Sequence, residues 1–298
     1  MEPWRALAES LRAGGWRVET ADQLIGEPVS AWVHLDAYRS PPDAASPSRT
    51  VLMMFEPRVV APYWYRRLAE SVPQFATVFT HDRALVARGG PFSYLHIPHS
   101  PPKSLVPQAR TEKLVMINAR KYPRSRDGEL YGERERVALW FANHSEGFAL
   151  YGPGWSRSSL RHPLAALRTS SLRKADRGPI ESKFDVLSRA RFAICFENMR
   201  SPGYVSEKLF DCLACGAIPI YDGDPDIAAI VPIDSFVDYQ QIGGPAALSR
   251  HIDSIDSDTE TRMRQRGQGV IASDSYQPFS IASFVKLMTA RLEDVAAK

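Results

Sequence analysis

The stretch that decides the fold is RFAICFENMRSPGYVSEKLFDCLACGAIPIYDGDPDIAAIVPI, which spans residues 191–233. The apolar run at 191–196 predicts a buried strand, because β-branched and aromatic residues are enriched in strands. A loop with proline and glycine separates it from a segment at 206–215, which predicts a helix that Gly216 ends. The run at 217–221 predicts the next strand. Strand, helix and strand in this order indicate a parallel sheet covered by helices.

The same alternation of strands and helices occurs along most of the chain. Further strands are predicted at 31–35, 50–55, 75–79, 93–97, 113–118 and 148–151, and further helices at 63–71, 129–144, 181–189 and 279–297. The segment HSPPK at 99–103, followed by Pro107, separates two such blocks, and the proline-rich stretch 40–48 predicts a loop. The sequence therefore predicts a two-domain α/β protein whose ligands lie at the carboxyl ends of parallel strands.

The composition is that of an ordinary globular protein. Of the 298 residues, 44% are apolar and 24% are charged, which argues against a disordered chain or a coiled coil. No stretch has about 18 consecutive uncharged apolar residues, and the acidic Glu2 and Glu9 argue against a secretory signal. Three cysteines are too few for a disulfide scaffold, and they favour a reducing compartment.

The formal net charge of +3 hides an uneven distribution. Residues 101–200 carry 19 Lys and Arg against 10 Asp and Glu, whereas residues 201–298 carry 8 against 14. A positive middle third favours an anionic partner. Part of the excess lies at 155–177, where serines rather than aromatics separate the cations, so we expect no nucleic-acid partner. Anionic membrane lipid or a phosphorylated glycan fits this segment better, and a solvated, mobile basic loop is the alternative.

Polar residues surround the end of the strand and the start of the helix in the deciding stretch. Five of them are candidates for ligand contacts: Glu197, Asn198, Tyr204, Glu207 and Lys208. Free N–H groups at a helix start and the charge of Lys208 suit a phosphate, and Glu207 suits the hydroxyls of a sugar. The alternative is that Ser206 and Glu207 merely cap the helix.

The pattern CFEN-x4-GYVSEKLFDCL-x-CG-x-IPIY, residues 195–221, resembles the donor-binding signature of the α-1,3/α-1,4-fucosyltransferases, glycosyltransferase family ten. Other stretches are similar to the family as well: FEPRVVAPYW, VFTHD, ELYGERERVALWF, FALYGPGW and IESKFDVLSRARF. The resemblance implies the α/β GT-B fold, in which two Rossmann-like domains face each other across a cleft. It implies an acceptor-binding domain at 1–105, a GDP-sugar-binding domain at 106–278, and a C-terminal helix at 279–298 that packs back towards the N-terminal domain.

The resemblance also implies a general base. Glu56, in the sequence Phe55-Glu56-Pro57, stands in the setting of the family's catalytic glutamate. Inversion at the sugar requires one displacement, and a carboxylate within about 2.6–3.2 Å of the attacking hydroxyl can remove its proton. Glu56 follows an apolar run at 51–55, so we expect partial burial to raise its pKa. On residue type alone, a surface carboxylate at a strand end is the alternative.

The donor-binding residues are likewise implied by the family pattern. Arg134, with Arg136 as a register-shifted candidate, corresponds to an arginine that contacts the diphosphate. Glu207 is implied for the ribose diol and Lys208 for phosphate. Three more positions complete the predicted donor set: Glu197, Asn198 and Tyr204. Fixed cations and a helix N-terminus stabilise the two charges of the departing diphosphate, so we expect no required cofactor and no metal ligands.

Two positions depart from the family pattern. Asp222-Gly223-Asp224 stands where the family usually has Trp-Gly, and His81 stands where it often has tryptophan. An Asp-x-Asp sequence can hold a divalent cation that stimulates the enzyme, but we favour an aspartate-rich turn around the glycine. The first change also leaves a donor other than fucose open.

We therefore expect an inverting glycosyltransferase that moves fucose from GDP-fucose to a hydroxyl of a glycan acceptor. An α-1,3 linkage on a bacterial surface polysaccharide is the expected product, and a cytoplasmic location at the inner face of the membrane is expected. One alternative is the same fold with a different GDP-sugar. The other is a nucleotide- or glycan-binding protein without catalysis, which would not need Glu56. The loops at 36–48 and 57–64 are expected to select the acceptor.

Overall fold

The computed structural model describes residues 2–24, 26–36, 46–102, 105, 108–155 and 165–297. The chain divides into two compact units. Unit 1 consists of Met1–Ser100, Pro202–Tyr204 and Gln277–Lys298, and unit 2 consists of Pro101–Ser201 and Val205–Tyr276. The expected boundary between residues 105 and 106 adjoins positions outside the described residues, and the C-terminal helix groups with unit 1.

The strands and helices of the two units follow one another along the chain. The strands are β1 (Trp32–Leu35), β2 (Thr50–Met54), β3 (Thr77–Thr80), β4 (Phe92–Tyr94), β5 (Glu112–Ile117), β6 (Phe148–Tyr151), β7 (Ala190–Phe196), β8 (Ile218–Asp222) and β9 (Val237–Asp238). The helices are α1 (Glu2–Ala13), α2 (Pro62–Ser71), α3 (Arg83–Val86), α4 (Tyr131–His144), α5 (Ala165–Ala175), α6 (Lys183–Arg189), α7 (Glu207–Cys215), α8 (Pro245–Ser254), α9 (Ser257–Val270) and α10 (Ile281–Ala296). None of these helices is both long and apolar enough to cross a membrane.

Unit 1 contains a parallel four-stranded sheet in the order β1-β2-β3-β4. Alternate residues of β2 enter two apolar cores, as the period of two in a strand requires. Val51 and Met53 pack in a cluster with residues of α1 and α10, whereas Leu52 and Met54 pack in a cluster with residues of α2. All five residues of β2 are buried, so this sheet is covered on both faces at its centre.

Unit 2 contains a parallel five-stranded sheet in the order β6-β5-β7-β8-β9. The chain passes from β5 outward to β6 and then returns to β7, on the other side of β5. The direction of strand addition therefore reverses between β5 and β7. In open parallel sheets, such a reversal leaves a crevice beyond the carboxyl ends of the two strands, where ligands bind.

The deciding stretch folds as the sequence predicts. β7 and β8 are hydrogen-bonded neighbours, with Phe192 opposite Ile218 and Phe196 opposite Asp222. Helix α7 lies between them in sequence and ends at Gly216, whose φ of +68° lies in the left-handed region. A glycine adopts this conformation without the steric penalty of a Cβ, so the prediction that Gly216 ends the helix is confirmed.

For one segment, the structure differs from the loop that was the alternative interpretation. Within the basic segment 155–177, Ala165–Ala175 is a helix and not a loop. Its formation has a packing reason, because Leu172 and Ala175 are buried in the core of unit 2. Residues 156–164 of the segment, most of the expected loop at 40–48, and Lys103 and Pro107 of the expected linker lie outside the described residues.

Candidate functional site

A cavity of about 210 Å³ lies in unit 2 where the sheet order reverses. Its walls come from the carboxyl end of β5, the middle of β7, and the helices α6 and α7. The lining residues with charged side chains are Lys183, Glu207, Lys208 and Asp211. This volume is below the roughly 300–1,000 Å³ of a typical small-molecule pocket.

The fully buried carboxylate of Glu197 holds the Lys208 side chain in place. Its Nζ donates to Glu197 Oε2 at 3.2 Å and to Ser206 Oγ at 2.8 Å. Burial would lower the pKa of Lys208, but attraction to Glu197 and Glu207 outweighs burial, and the pKa is raised. Lys208 therefore lines the cavity as a fixed cation.

Glu197 and Ser206 support this arrangement. Glu197 accepts hydrogen bonds from the Ser206 N–H and the Ser206 hydroxyl, both at 2.7 Å. Glu197 is fully buried, so it contacts Lys208 from the protein interior and does not face the solvent. The Ser206 side chain makes no capping hydrogen bond to α7, so its role differs from the simple cap that generic sequence reasoning favours.

Glu207 presents an ionised carboxylate at the cavity. Its side chain is 47% exposed, and its Oε1 lies 3.9 Å from Lys208 Nζ. Partial burial of the carboxylate would raise the pKa of Glu207. The positive charges of Lys208 and Lys183 outweigh this effect, and the pKa is lowered. An exposed carboxylate of this kind accepts hydrogen bonds from neighbouring hydroxyls, as a ribose diol would supply.

Arg134 lies at the end of β7, and its charge acts on Lys208. The residue is 4% exposed, and its Nη2 donates to the Phe196 carbonyl at 2.6 Å and to Asn198 Oδ1 at 3.0 Å. Arg136, the register-shifted candidate, instead pairs with Glu133 on the same helix. Of the two arginines, Arg134 is the one that donates a hydrogen bond to a predicted donor residue, Asn198.

Asp222 has a partner that the sequence did not reveal. Arg200 donates two hydrogen bonds to its carboxylate, from Nε to Oδ1 at 2.7 Å and from Nη2 to Oδ2 at 2.6 Å. Asp224 is also buried, and its Oδ1 accepts the N–H of Asp226 at 3.0 Å, as in an aspartate turn. Within the described ranges, no three His, Cys, Asp or Glu residues form a group that could hold a metal ion.

In unit 1, Glu56 follows β2 at the carboxyl edge of the sheet. The residue is half-buried, its N–H donates to Asp36 Oδ1 at 3.0 Å, and its carbonyl accepts from the Tyr65 hydroxyl at 3.3 Å. Asp36 follows the neighbouring strand β1. Burial raises the pKa of Asp36, although hydrogen bonds from the Glu56 and Phe55 amides oppose the shift.

His81 and Tyr204 pack together in unit 1. Their ring centroids are 4.6 Å apart, and both side chains are buried. Burial lowers the pKa of His81 to about 4, against the attraction of Asp82, so the imidazole is neutral at pH 7. The tyrosine reaches this position because Gly203, with a φ of +85°, approaches the His81 carbonyl where a Cβ would lie only 2.6 Å from the oxygen. The structure thus groups Tyr204 with unit 1, and the other predicted donor residues with unit 2.

Sequence reasoning missed three charged residues of these sites. Lys183 and Asp211 line the same cavity as Glu207 and form an ion pair at 2.5 Å. Both occur in stretches that resemble the family, so the signal was present, but only as part of a predicted helix. The third is Arg200, whose partner lies 22 residues away and which carries no local signal.

Residues 169–265 match the family model described as Glycosyltransferase family 10 (fucosyltransferase) C-term. Residues 169–265, about a third of the chain, are thus similar to the C-terminal part of the family-10 fucosyltransferases. We call this segment the family-10 domain. The domain includes Glu197, Glu207 and Lys208, whereas Arg134 and Glu56 lie outside it.

One curated relative and two solved structures are similar to parts of this chain. The alpha-(1,3)-fucosyltransferase FucT of Helicobacter pylori is 41% identical over 58 residues, which are 20% of this chain and 12% of the relative. The chain therefore spans only a small part of that relative. A crystal structure of an alpha1,3-fucosyltransferase with GDP-fucose has a TM-score of 0.53 at 16% identity, covering 90% of this chain and 79% of that one. HepE of Anabaena in complex with UDP has a TM-score of 0.55 at 10% identity, covering 82% and 72%.

The structural likeness shows the fold. The chain shares the architecture of GT-B glycosyltransferases, with parallel sheets in two α/β units. At 10% to 16% identity, fold likeness does not select the donor, since one of these structures holds GDP-fucose and the other UDP at nearly equal TM-scores. The choice of donor has to come from the residues of the site.

Proposed function

We propose that this protein is a glycosyltransferase that moves fucose from GDP-fucose to a hydroxyl of a glycan. The observation that carries the proposal is the position of the cavity. It lies where the sheet order of unit 2 reverses, and the family-10 domain supplies both its cation, Lys208, and its exposed carboxylate, Glu207. A cation beside a carboxylate in such a crevice fits the diphosphate and the ribose of a nucleotide sugar.

The proposed donor contacts follow from charge and exposure. Lys208 is held charged by a buried carboxylate and offers its remaining hydrogen-bonding capacity to a phosphate. Arg134 lies at the same end of β7 and adds a second positive charge for the diphosphate. Glu207 is proposed to accept from the ribose hydroxyls, and Asn198 to hold Arg134 in place.

The proposed reaction is a single displacement with inversion. The acceptor hydroxyl attacks the anomeric carbon of fucose, the bond from that carbon to the diphosphate oxygen breaks, and GDP departs with the electron pair. Glu56 is proposed to take the hydroxyl proton, and its half-buried position at a strand end supports this role. Fixed positive charges stabilise the departing GDP, which is the type of electrostatic stabilisation that accelerates such reactions most.

We propose that the reaction needs no metal ion. Arg200 already neutralises Asp222, and the carboxylate of Asp224 is engaged in a turn. Addition of a chelator is expected to leave the rate of transfer within about twofold of its original value, because Lys208 and Arg134 supply the charge. A rate that falls on chelation and returns with a divalent cation would contradict this.

A different GDP-sugar is the second candidate for the donor. One observation favours it: in Asp222-Gly223-Asp224, which stands where the family usually has Trp-Gly, Asp222 forms an ion pair with Arg200. An ion pair offers hydrogen bonds that an aromatic ring lacks, and hence it suits a sugar with an additional polar group. A binder without catalysis is the third candidate, and Glu56 is the residue that argues against it.

The acceptor side and the location are also proposals. An α-1,3 linkage is supported by the activity named for the Helicobacter pylori relative, and a bacterial surface glycan is the proposed acceptor. Exposed cations at and after the end of α5, Arg173, Lys174 and Arg177, support peripheral contact with anionic membrane lipid. The three cysteines are free buried thiols, which supports a reducing, cytoplasmic compartment.

The proposal is tested by donor selection. The protein is incubated in turn with GDP-fucose, GDP-mannose and UDP-glucose, together with a panel of disaccharides that contain galactose, N-acetylglucosamine or mannose. Release of GDP and mass spectrometry of the glycan report transfer. Transfer of fucose supports the proposal, and tight binding of another nucleotide sugar without any response to GDP-fucose would overturn the choice of donor.

A further inference from the structure

We propose that Asp36 is a positioning residue for Glu56, an inference that rests on the proposed function. Asp36 follows β1, and Glu56 follows the neighbouring strand β2. A single oxygen of Asp36, Oδ1, accepts the N–H of Phe55 at 2.7 Å and the N–H of Glu56 at 3.0 Å. The N–H of Asp36 donates to the Met53 carbonyl at 2.8 Å. Asp36 therefore binds the backbone of β2 and of the residues that follow it at three points.

The backbone of Asp36 is strained. Its φ is +46°, and no other non-glycine residue in the described part of the chain has a positive φ. This conformation is unfavourable for residues with a Cβ, although Asp and Asn tolerate it best. Residues held in this way persist where their surroundings over-determine them, and they cluster at functional sites. At Asp36 the strain accompanies two accepted hydrogen bonds, one from the N–H of Phe55 and one from the N–H of Glu56, the proposed base.

Glu56 is held on its other side as well. The Tyr65 hydroxyl, on α2, donates to the Glu56 carbonyl at 3.3 Å, and the Arg58 guanidinium lies 5.2 Å from the Tyr65 ring centre. The N–H and the carbonyl of Glu56 thus both have hydrogen-bond partners that are distant in the sequence. This fixes the point from which the carboxylate extends, and a general base needs that precision because a displacement of about 1 Å can cost 100-fold in rate.

Two substitutions of Asp36 separate its hydrogen bonds from its backbone conformation. Asp36→Asn keeps an acceptor oxygen and a residue type that tolerates positive φ. Asp36→Gly keeps the backbone conformation and removes the acceptor. Ser280→Gly is the matched control, because it removes the side chain that caps α10 through the Ser283 N–H at 3.1 Å, also in unit 1.

The experiment measures kcat and KM for GDP-fucose, with the best disaccharide of the panel or with water as acceptor. Amide hydrogen exchange at Phe55 and Glu56 and thermal unfolding are measured on the same samples. We expect Asp36→Gly to lower kcat by about 10- to 100-fold with KM for GDP-fucose nearly unchanged, and to speed exchange at both amides. We expect Asp36→Asn and Ser280→Gly to retain kcat within about threefold.

The outcomes distinguish this inference from the proposed function. Equal kcat in Asp36→Gly and the unaltered protein would overturn the positioning role alone. Loss of kcat in Asp36→Asn as deep as in Asp36→Gly, with slow amide exchange retained, would overturn it too, because Asp36 would then be needed as a carboxylate. No turnover of GDP-fucose by the unaltered protein would overturn the proposed function and this inference together.

Discussion

At the scale of single residues, the site depends on charges whose ionisation the surrounding structure fixes. Lys208 and Glu207 are neighbours on α7, and each stabilises the charged form of the other. The buried carboxylate of Glu197 stabilises the positive charge of Lys208 through their ion pair. The proposed donor contacts are therefore charged before a substrate arrives, which reduces the reorganisation that binding requires.

The role of Glu56 is testable with an isosteric substitution. Glu56→Gln removes the proton acceptor and keeps the side-chain volume, so we expect kcat to fall by about 100- to 10,000-fold. GDP affinity, measured by calorimetry, should change by less than about twofold. Glu70→Gln is the control, because Glu70 lies on α2 as an exposed partner of Arg67. A fall in GDP affinity with transfer preserved would reverse the assignment.

Lys208 should affect binding of the nucleotide. We expect Lys208→Ala to weaken GDP by about 10- to 100-fold, because a hydrogen bond to a charged group contributes about 1.5–3 kcal/mol. Lys113→Ala is the control in the same unit, since Lys113 pairs with Asp253 on the surface. Calorimetric titration with GDP gives both affinities. Equal losses in the two variants would show that charge in general, and not the contact of Lys208, accounts for the effect.

At the scale of elements, the sequence predicted the continuous apolar strands closely and missed several helices. Strands β2, β5, β7 and β8 were all found within one or two residues of their ends, because their residues are buried on both faces. Helices α8 and α9 were not predicted, since their charged and glycine residues weaken the periodic signal. The Arg200–Asp222 pair could not be predicted, because it depends on a loop being folded against another strand.

The end of α7 gives a prediction about stability. Gly216→Ala is expected to lower the free energy of unfolding of unit 2 by about 1–2 kcal/mol, because a Cβ disfavours left-handed backbone. The added Cβ would also lie 2.7 Å from Arg110 Nη2, which donates to the Cys215 carbonyl. Gly269→Ala, on α9 with open space around its Cβ position, should instead be neutral or stabilising. Denaturant unfolding of both variants measures the difference, and equal destabilisation would contradict it.

At the scale of the whole molecule, the two units have separate parallel sheets, and each places its candidate residues at the carboxyl edge. Unit 1 presents Asp36 and Glu56 after adjacent strands, and unit 2 presents the cavity between β5 and β7. The family-10 domain covers residues 169–265 only, so the activity proposed for the whole chain also depends on residues outside the family match. Glu56 belongs to the part of the chain outside that domain.

The proposed single displacement with Glu56 as base is tested most directly by analysis of the product formed from GDP-fucose by the unaltered protein and by Glu56→Gln. Nuclear magnetic resonance of the purified glycan gives the sugar transferred and the configuration of its anomeric carbon. We predict a fucosylated glycan whose anomeric configuration is opposite to that in the donor, and almost no product from Glu56→Gln. Retention of configuration, or undiminished product from Glu56→Gln, would contradict the single displacement with Glu56 as base.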